Sequence, residues 1–207
     1  MAYKIFDICG TLYDTNTTFS FCENQSSVYR KWILKLSKTI FGKALNKVLV
    51  KCFSYDFIRN IHIKTLSNLT LIQLDNAADS FVENYLNKKK ITDVHNILKS
   101  FDSNDIILVS ATIEPIAKAI AKKLGCLKYI ATTLMYDNGK CTGVIKDDLL
   151  GNKQDYFKDK TIDLVVTDNK SDVELCKLAK ESIIVTNIKN LTFWQKQDIT
   201  IIKVIMV

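Results

Sequence analysis

Three polar side chains stand where apolar runs of strand length end. Asp7 ends the run that opens the chain, Ser110 ends the run DIILVS, and Asp168 ends the run IDLVVTD. Phosphoryl transfer needs an in-line nucleophile and groups that stabilise the charge of the phosphoryl group, and two carboxylates and a hydroxyl suit that chemistry. Ligands of parallel sheets bind beyond the carboxyl ends of the strands, so these side chains are predicted to meet there.

The elements that must position these side chains are strands alternating with helices. Strands are predicted at residues 3–8, 105–110, 182–187 and 199–207, and in the apolar run that starts at residue 162. Helices are predicted at residues 112–125, with Pro115 in the first turn and Gly125 at the end, and at residues 173–181. Asn138-Gly139 predicts the turn of a hairpin.

Helical patterns fill the segment between the first two strands. A polar, turn-like stretch covers residues 13–27, and amphipathic patterns then run from about residue 28 to residue 101. Thr70 is predicted to be the N-cap of one of these helices, and Lys88-Lys89-Lys90 suit a helix C-terminus. A connection of this length is rarely structureless, so it is predicted to be an inserted domain above the site.

The predicted fold class is therefore α/β, with a Rossmann-like parallel-sheet core and an inserted helical cap domain. The core is predicted to comprise residues 1–15 and 104–207, and the cap residues 16–103.

Composition excludes several classes of protein. The chain has 207 residues, of which 47% are hydrophobic and 25% charged, as in an ordinary globular protein. It has no run of about 18 uncharged apolar residues, so no membrane span is expected. The six cysteines show neither a zinc pattern nor a disulfide framework, and no secretory signal is recognised, so a cytoplasmic location is expected. The net charge of +7 comes without a nucleic-acid motif, so no nucleic-acid partner is expected.

Four short motifs occur in a fixed order along the chain. They are Asp7-Ile8-Cys9-Gly10-Thr11-Leu12, ILVSAT with Ser110, GNK with Lys153, and VVTDNKSD with Asp168 and Asp172. Together they resemble the haloacid dehalogenase (HAD) superfamily of hydrolases, in the branch that contains phosphoserine phosphatase-like enzymes. The resemblance covers nearly the whole chain.

The resemblance implies a set of roles for these residues. Asp7 would attack phosphorus and become an aspartyl phosphate, while Ser110 and Lys153 would stabilise the phosphoryl charge. Phosphate binding would involve Thr11, Ser110, Ala111 and Lys153. The implied cofactor is Mg2+, with Asp7, Asp168, Asp172 and the backbone carbonyl of Cys9 in the metal site, Asp172 acting through a metal-bound water. The implied partner is a small phosphorylated substrate.

Cys9 departs from the motif. In phosphatases of this superfamily a second Asp stands here, protonating the leaving oxygen and then activating water. A thiol beside carboxylates should have a raised pKa and fail as a base, and losing a general acid/base costs about 10²- to 10⁴-fold in rate.

Three interpretations follow from Cys9. The chain is a slow phosphatase, in which water or Asp14 replaces the acid. Alternatively, it is a catalytically impaired or inactive relative that binds phosphate. In the third, it is a hydrolase whose leaving group needs no protonation, acting on a phospholipid phosphate, a phosphonate or a halide.

The cap sequence bears on substrate and partners. Related phosphoserine phosphatases carry a Glu where this chain has Asn16, which argues against phosphoserine as substrate. Residues 30–51 contain seven Lys or Arg, no acid, and the apolar residues Trp32, Ile33, Leu34, Ile40, Phe41, Val48 and Leu49. We expect a cap helix that buries this apolar face; the alternative is weak contact with an anionic membrane surface. His62 and His95 are assigned no role.

Overall fold

The computed structural model describes residues 3–26, 28–53 and 56–207. Its strands are β1 (Tyr3–Phe6), β2 (Ile106–Ile113), β3 (Lys128–Asp137), β4 (Lys140–Asp147), β5 (Ile162–Thr167), β6 (Ala179–Thr186) and β7 (Ile201–Met206). Its α-helices are α1 (Thr17–Gln25), α2 (Val28–Ser37), α3 (Ile40–Phe53), α4 (Phe57–Lys64), α5 (Leu71–Asn84), α6 (Thr92–Lys99), α7 (Glu114–Leu124), α8 (Val173–Lys177) and α9 (Ile188–Gln195).

The described strands form one seven-stranded sheet in the order β4-β3-β2-β1-β5-β6-β7. All neighbouring pairs are parallel except β3 and β4, which are antiparallel. The predicted Rossmann-like α/β fold is confirmed. Because β1 lies between β2 and β5, the carboxyl ends of the three strands that carry Asp7, Ser110 and Asp168 are adjacent.

Apolar side chains on both faces hold the sheet between two layers of helices. Alternate strand residues point to opposite faces, so Phe6 and Leu108 join one buried cluster while Ile5 and Val109 join the other. Helices α1, α5, α6 and α7 contribute to the first cluster, and α8 and α9 to the second, where Trp194 is fully buried. Strands covered on both faces explain the near-continuous apolar runs in the sequence.

Two local signals in the sequence are confirmed. Asn138 and Gly139 have φ of 47° and 74°, the left-handed conformation that a tight hairpin turn requires, and they join β3 to β4. In α7, Pro115 lies in the first turn and Gly125 ends the helix with φ of 69°.

One helix is shorter than predicted. The pattern of residues 173–181 predicted a single helix, but α8 ends at Lys177 and β6 begins at Ala179. Ala179 and Glu181 pair with Ile162 and Leu164 of β5. Backbone hydrogen bonds to a neighbouring strand have overridden the local helical preference, which is only a weak determinant.

The stretch predicted as turn-like contains a helix, so that prediction was wrong. Asn16 caps α1 by accepting a hydrogen bond from the Phe19 N–H at 3.0 Å. Phe21 and Cys22 are fully buried on the inner side of α1. The inner side of α1 also carries the buried Thr17 and Thr18, so its apolar pattern is too short to predict a helix from the sequence.

The cap at Thr70 is confirmed, and the lysine triplet does end a helix, although this is a short 3₁₀ helix and not α5 itself. Thr70 and Gln73 form a reciprocal capping box at the start of α5. Helix α5 ends at Asn84, and Lys88 and Lys89 belong to a following 3₁₀ helix, Leu86–Lys89. The chain leaves α5 here because Leu86 is fully buried, which ties the short helix to the core.

The inserted segment shares the main hydrophobic cluster with the sheet. Phe21, Leu74 and Phe81 belong to the same cluster as Phe6 and Leu108. The division into a core of residues 1–15 and 104–207 and a cap of residues 16–103 stays a prediction.

The expected burial of the basic, apolar segment is wrong for most of its large side chains. Trp32 is 61% exposed, Ile40 84% and Phe41 88%, whereas Leu34 is fully buried. Leu49 is half-buried, and the side chain of Ile33 lies outside the described residues. The pattern is amphipathic, but α3 turns only a narrow side towards the rest of the protein. Among the described residues, no helix has the length and apolar character to cross a membrane.

His95 is a buried structural residue whose ionisation opposes folding. Its Nε2 lies 3.1 Å from the Leu12 carbonyl oxygen, and burial lowers its pKa to about 4. The unfolded chain takes up this proton near pH 6.5, so the free energy of unfolding should fall by about 2–3 kcal/mol between pH 6.5 and pH 4. Urea unfolding across this range should show a smaller loss for His95→Gln, because glutamine keeps a donor and does not ionise. Equal losses in the two proteins would contradict this prediction.

Candidate active site

The carboxylate of Asp7 lies directly beyond β1, at the carboxyl edge of the sheet. It is 4% exposed, and its Oδ1 accepts a hydrogen bond from the Ile8 N–H at 2.7 Å. The Asp7 N–H donates to the Val166 carbonyl oxygen at 2.9 Å, which continues the pairing with β5 and fixes the backbone. Asp7 Oδ2 lies 2.7 Å from the Nζ of Lys153.

Lys153 joins two buried carboxylates. It begins the 3₁₀ helix Lys153–Phe157, is 2% exposed, and its Nζ is 2.7 Å from Asp172 Oδ2 as well as from Asp7. Thr167 donates to the same Asp172 oxygen at 2.7 Å. Burial alone would lower the pKa of Lys153, but Asp7 and Asp172 raise it above its usual value. The amine is therefore charged at neutral pH and holds the Asp7 carboxylate in place.

Gly10 allows the loop after β1 to approach Asp168. It has φ of +70°, and a Cβ at this position would lie 2.2 Å from Asp168 Oδ2. The next residue, Thr11, donates its hydroxyl to Asp168 Oδ1 at 2.9 Å and accepts from the Asp168 N–H at 2.9 Å. The Gly-Thr pair of the first motif thus positions the carboxylate of the fourth.

Asp168 is a carboxylate whose negative charge is poorly compensated. Burial, and then the charge of Asp7, raise its pKa to about 7. A cation would stabilise the ionised form of such a group. The two carboxylates and the Cys9 backbone carbonyl are hard oxygen donors of the kind that Mg2+ prefers, and Mg2+ keeps several waters. The described residues contain no group of three His, Cys, Asp or Glu side chains suited to a metal, so an ion here would depend on these donors and water. This donor set fits Mg2+.

A bulge in β2 sets the position of Ser110. Ser110 pairs with Ala131 of β3, but the next pair is Ile113 with Thr132, so Ala111 and Thr112 are extra residues. Bulges re-aim side chains near active sites. Ser110 is 1% exposed and its oxygen accepts from the Thr112 N–H at 3.3 Å, which leaves its own proton to donate. Strand β2 accordingly continues three residues beyond the predicted end at Ser110.

Cys9 faces a row of threonine hydroxyls. Its Sγ is within hydrogen-bonding distance of Thr17 Oγ1, which in turn bonds Thr112 Oγ1. Burial, and then the charge of Asp7, raise the pKa of the thiol above its usual value. A thiol in this state stays protonated at neutral pH and cannot take a proton from water.

A cavity of about 420 Å³ opens at this edge of the sheet. Asp7, Cys9, Ser110, Ala111 and Asp168 all line it, so the structure brings these predicted site residues together. The other predicted site residues lie behind this lining. Thr11 bonds Asp168, Lys153 pairs with Asp7, and Asp172 pairs with Lys153. Helices α1 and α4 complete the walls, with contributions that include Asn16, Phe19 and Arg59, and Asp14 also lines the cavity.

Arg59 is a site residue that sequence reasoning missed. Its NH1 lies 2.7 and 2.6 Å from the two carboxylate oxygens of Asp148. Its NH2 donates to the Ala111 carbonyl oxygen at 2.8 Å and to Thr132 Oγ1 at 3.0 Å. Arg59 thereby ties α4 to the ends of β2 and β4 beside the cavity. The one available signal was weak: Arg59 is one of only two arginines among 29 basic residues.

A sequence model of haloacid dehalogenase-like hydrolases matches residues 5–176. The chain belongs to this family. The predicted resemblance is confirmed at this level, and the coarse function that the family implies is hydrolysis. No curated protein sequence shows a significant match to this HAD hydrolase.

Solved structures show the same fold at low sequence identity. A protein of unknown function from Bordetella pertussis Tohama I has a TM-score of 0.64 at 15% identity, covering 97% of both chains. Phosphoserine phosphatase in its apo form has a TM-score of 0.56 at 16% identity, covering 100% of this chain and 94% of its own. Cytosolic 5'-nucleotidase IIIB bound to cytidine has a TM-score of 0.63 at 10% identity, covering 98% and 79%. The HAD hydrolase thus has the fold of the phosphoserine phosphatases, as its motifs predicted.

Proposed function

We propose that this HAD hydrolase is a Mg2+-dependent phosphatase that hydrolyses a phosphomonoester through an aspartyl phosphate on Asp7. One observation carries the proposal. The Asp7 carboxylate, held at 2.7 Å by the charged amine of Lys153, lines the same cavity as the Ser110 hydroxyl and the Asp168 carboxylate. A nucleophile, a cation and a hydroxyl donor at one point are what phosphoryl transfer requires.

The chain's own residues have distinct tasks in this reaction. An oxygen of Asp7 attacks phosphorus, the bond from phosphorus to the leaving oxygen breaks, and an aspartyl phosphate forms. Ser110 donates to a phosphoryl oxygen, and the amine of Lys153 offsets the negative charge. Water then attacks phosphorus, releases inorganic phosphate and restores the Asp7 carboxylate. Thr11 acts in this scheme by orienting Asp168, since both of its hydroxyl contacts go there.

The metal would be held by Asp7, Asp168 and the Cys9 backbone carbonyl. Asp172 would act indirectly, because its Oδ2 already accepts from Lys153 and Thr167. Bound Mg2+ supplies Lewis-acid stabilisation of phosphoryl charge. The raised pKa of Asp168 supports this assignment, since a cation would favour its ionised form.

Cys9 makes the proposed enzyme slow, and it supports one second candidate function. The thiol cannot act as the acid/base, so proton transfer depends on water or on Asp14, which lines the cavity. If neither substitutes, the chain is a phosphate-binding relative without turnover. The raised pKa of Cys9 supports this second candidate, because a protonated thiol cannot act as the base that activates water.

The proposed substrate is a small phosphorylated molecule. A cavity of about 420 Å³ has room for a phosphoryl group and a compact leaving group. Asn16 caps α1 and lines this cavity without a charge, which supports a substrate other than phosphoserine. A cytoplasmic location and the absence of a nucleic-acid partner stay predictions.

Phosphate release from an aryl phosphate tests the proposed function, because an aryl leaving group needs little protonation. Release should require Mg2+, stop on chelation, and fall by about 10²-fold or more in Asp168→Asn, which lacks the carboxylate that would hold the metal. Asp93→Asn, an exposed carboxylate on α6, is the matched control and should retain the native rate. Release that is indifferent to Mg2+ and to Asp168→Asn would overturn the metal assignment. No release at any Mg2+ concentration would leave the phosphate-binding candidate.

A further inference from the structure

Helix α3 carries a row of apolar side chains that faces solvent. Phe41, Ala44, Leu45, Val48 and Cys52 recur at intervals of three or four residues, so they lie along one side of the helix; we call them the apolar strip. Phe41 is 88% exposed, Leu45 51% and Val48 56%, and Ala44 and Cys52 are also exposed. Isolated exposed apolar residues are ordinary, but a continuous row on one helix marks an interaction surface.

Lysines border the apolar strip along its length. Lys43, Lys47 and Lys51 are exposed and four residues apart, which places them in a row beside the strip. The sequence has no Asp or Glu between Glu23 and Asp56. Within the described part of this segment, Lys38 alone forms an ion pair, with Glu23. The lysine row therefore keeps its positive charge for an external partner.

Hydrogen bonds hold the opposite side of α3 against the protein. Asn46 donates its side-chain N–H to Asp56 Oδ1 at 3.1 Å and accepts from the Ile58 N–H at 3.0 Å. Among the side chains of α3 that the structure describes, those of Asn46 and Leu49 are half-buried, as is the residue Gly42. These contacts fix the rotation of α3, so the apolar strip points outward as a consequence of packing.

Helix α2, which precedes α3, also exposes apolar side chains next to lysines. Trp32 and Leu36 of α2 lie four residues apart and are 61% and 47% exposed. Lys31 and Lys35 are exposed beside them. Tryptophan is favoured at membrane interfaces because its ring is apolar and its N–H is polar.

We propose that α2 and α3 dock this protein onto an anionic membrane surface. The apolar strip would enter the boundary between headgroups and acyl chains, while Lys43, Lys47 and Lys51 contact anionic headgroups. Charge complementarity selects this occupant. The same segment of a second copy would offer the lysine row no acidic partner, because residues 24–55 contain no Asp or Glu, and a nucleic acid would leave the apolar strip without a partner.

The inference goes beyond the proposed phosphatase activity and does not depend on it. It does have a spatial consequence for the cavity, because Asp56 both bonds Asn46 of α3 and lines the cavity. A docked molecule would thus hold the α4 wall of the cavity close to the lipid surface.

Vesicle co-sedimentation tests the proposal. The full chain should bind vesicles that contain phosphatidylglycerol and phosphatidylcholine, bind pure phosphatidylcholine much more weakly, and release at high salt. Lys43→Gln/Lys47→Gln/Lys51→Gln should weaken binding by about 100-fold, as expected for three lysines at an anionic surface. Phe41→Ser/Val48→Ser should weaken it by at least about tenfold, because two inserted side chains are lost.

Matched controls separate the surface from general charge and apolarity. Lys118→Gln/Lys122→Gln/Lys123→Gln removes the same charge from α7, whose lysines pair with Asp75, Asp79 and Glu83. Ile72→Ser/Ile188→Ser removes two exposed side chains, 72% and 71% exposed, from α5 and α9. Both controls should bind vesicles like the native protein, and all variants should keep the native circular dichroism spectrum and rate of aryl phosphate hydrolysis.

Three results would overturn the proposal. The first is no binding of the native protein to anionic vesicles at low salt. The second is equal weakening by the α3 and α7 lysine variants, which would indicate diffuse attraction by net charge. The third is a dimer in sedimentation equilibrium that dissociates in Phe41→Ser/Val48→Ser, with no vesicle binding, which would identify a second copy as the occupant.

Discussion

Asp7→Asn is expected to abolish phosphate release, with a rate at least about 10³-fold below that of the native protein. The amide is nearly the same size as the carboxylate but is a poor nucleophile, so no aspartyl phosphate can form. Lys153 would also lose one of its two carboxylate partners, although Asp172 keeps the amine bound at 2.7 Å. The measurement is phosphate release from an aryl phosphate in saturating Mg2+.

A second readout distinguishes lost chemistry from lost folding. Asp7→Asn should unfold thermally near the native temperature. It removes the negative charge that repels the carboxylate of Asp168, and it retains an acceptor for the Ile8 N–H. Brief incubation of the native protein with an acyl phosphate analogue such as beryllium fluoride should raise its melting temperature, and the effect should be absent in Asp7→Asn. Activity that survives in a folded Asp7→Asn variant would contradict the assignment of the nucleophile.

Cys9→Asp is expected to raise turnover of an alkyl phosphate by about 10²- to 10⁴-fold, the usual contribution of one general acid/base. An alkyl leaving oxygen must be protonated as it departs, and the native thiol, with its raised pKa, supplies neither a strong acid nor a base. The new carboxylate would stand beside Thr17 Oγ1, which already bonds the thiol and can donate to a carboxylate oxygen. Turnover of an aryl phosphate should rise less, since that leaving group needs little help.

Cys9→Asn is the matched control for this gain. Asparagine has the shape of aspartate and can bond Thr17, but it transfers no proton, so turnover should stay at or below the native rate. Asp14→Asn in the native background tests the substitute acid, and a loss there would assign the residual proton transfer to Asp14. An equal gain in Cys9→Asn and Cys9→Asp would show that the thiol obstructs the site rather than lacking a proton, which would contradict the prediction.

These two variants also separate the candidate functions. A native protein that is slow, and improved by Cys9→Asp, is a phosphatase limited by its missing acid. A native protein without turnover, in which only Cys9→Asp is active, is a relative that binds phosphate. If neither the native protein nor Cys9→Asp hydrolyses any phosphate ester, the proposed phosphatase function is contradicted.

The sequence by itself determined the strands of the sheet and the family motifs on which the proposed chemistry rests. Runs such as Ile106–Val109 are apolar throughout because both faces of a parallel strand are covered. The strands could therefore be located along the sequence. Asp7, Ser110 and Asp168 follow such runs, and adjacent parallel strands bring their carboxyl ends together. The expected loss of the general acid/base at Cys9 could also be predicted from the sequence, because it depends only on the chemistry of a thiol side chain.

Only the tertiary structure decided which contacts the remaining polar residues make. Lys153 is 146 residues from Asp7 in the chain, and no local pattern states that its amine will lie 2.7 Å from both Asp7 and Asp172. Arg59 is similar, since its partner Asp148 comes from a distant strand end. Even the helix predicted over residues 173–181 lost its end to pairing with β5, because long-range hydrogen bonds outweigh local preference.

Helix α3 shows most clearly what the sequence determined and what the tertiary structure decided. Its sequence determined an amphipathic, lysine-rich helix, but an amphipathic pattern states only that one side is apolar. It does not state whether that side meets the protein core or the surroundings. Packing decided this, because the hydrogen bonds of Asn46 to α4 turn the half-buried side inward and leave Phe41 and Val48 exposed.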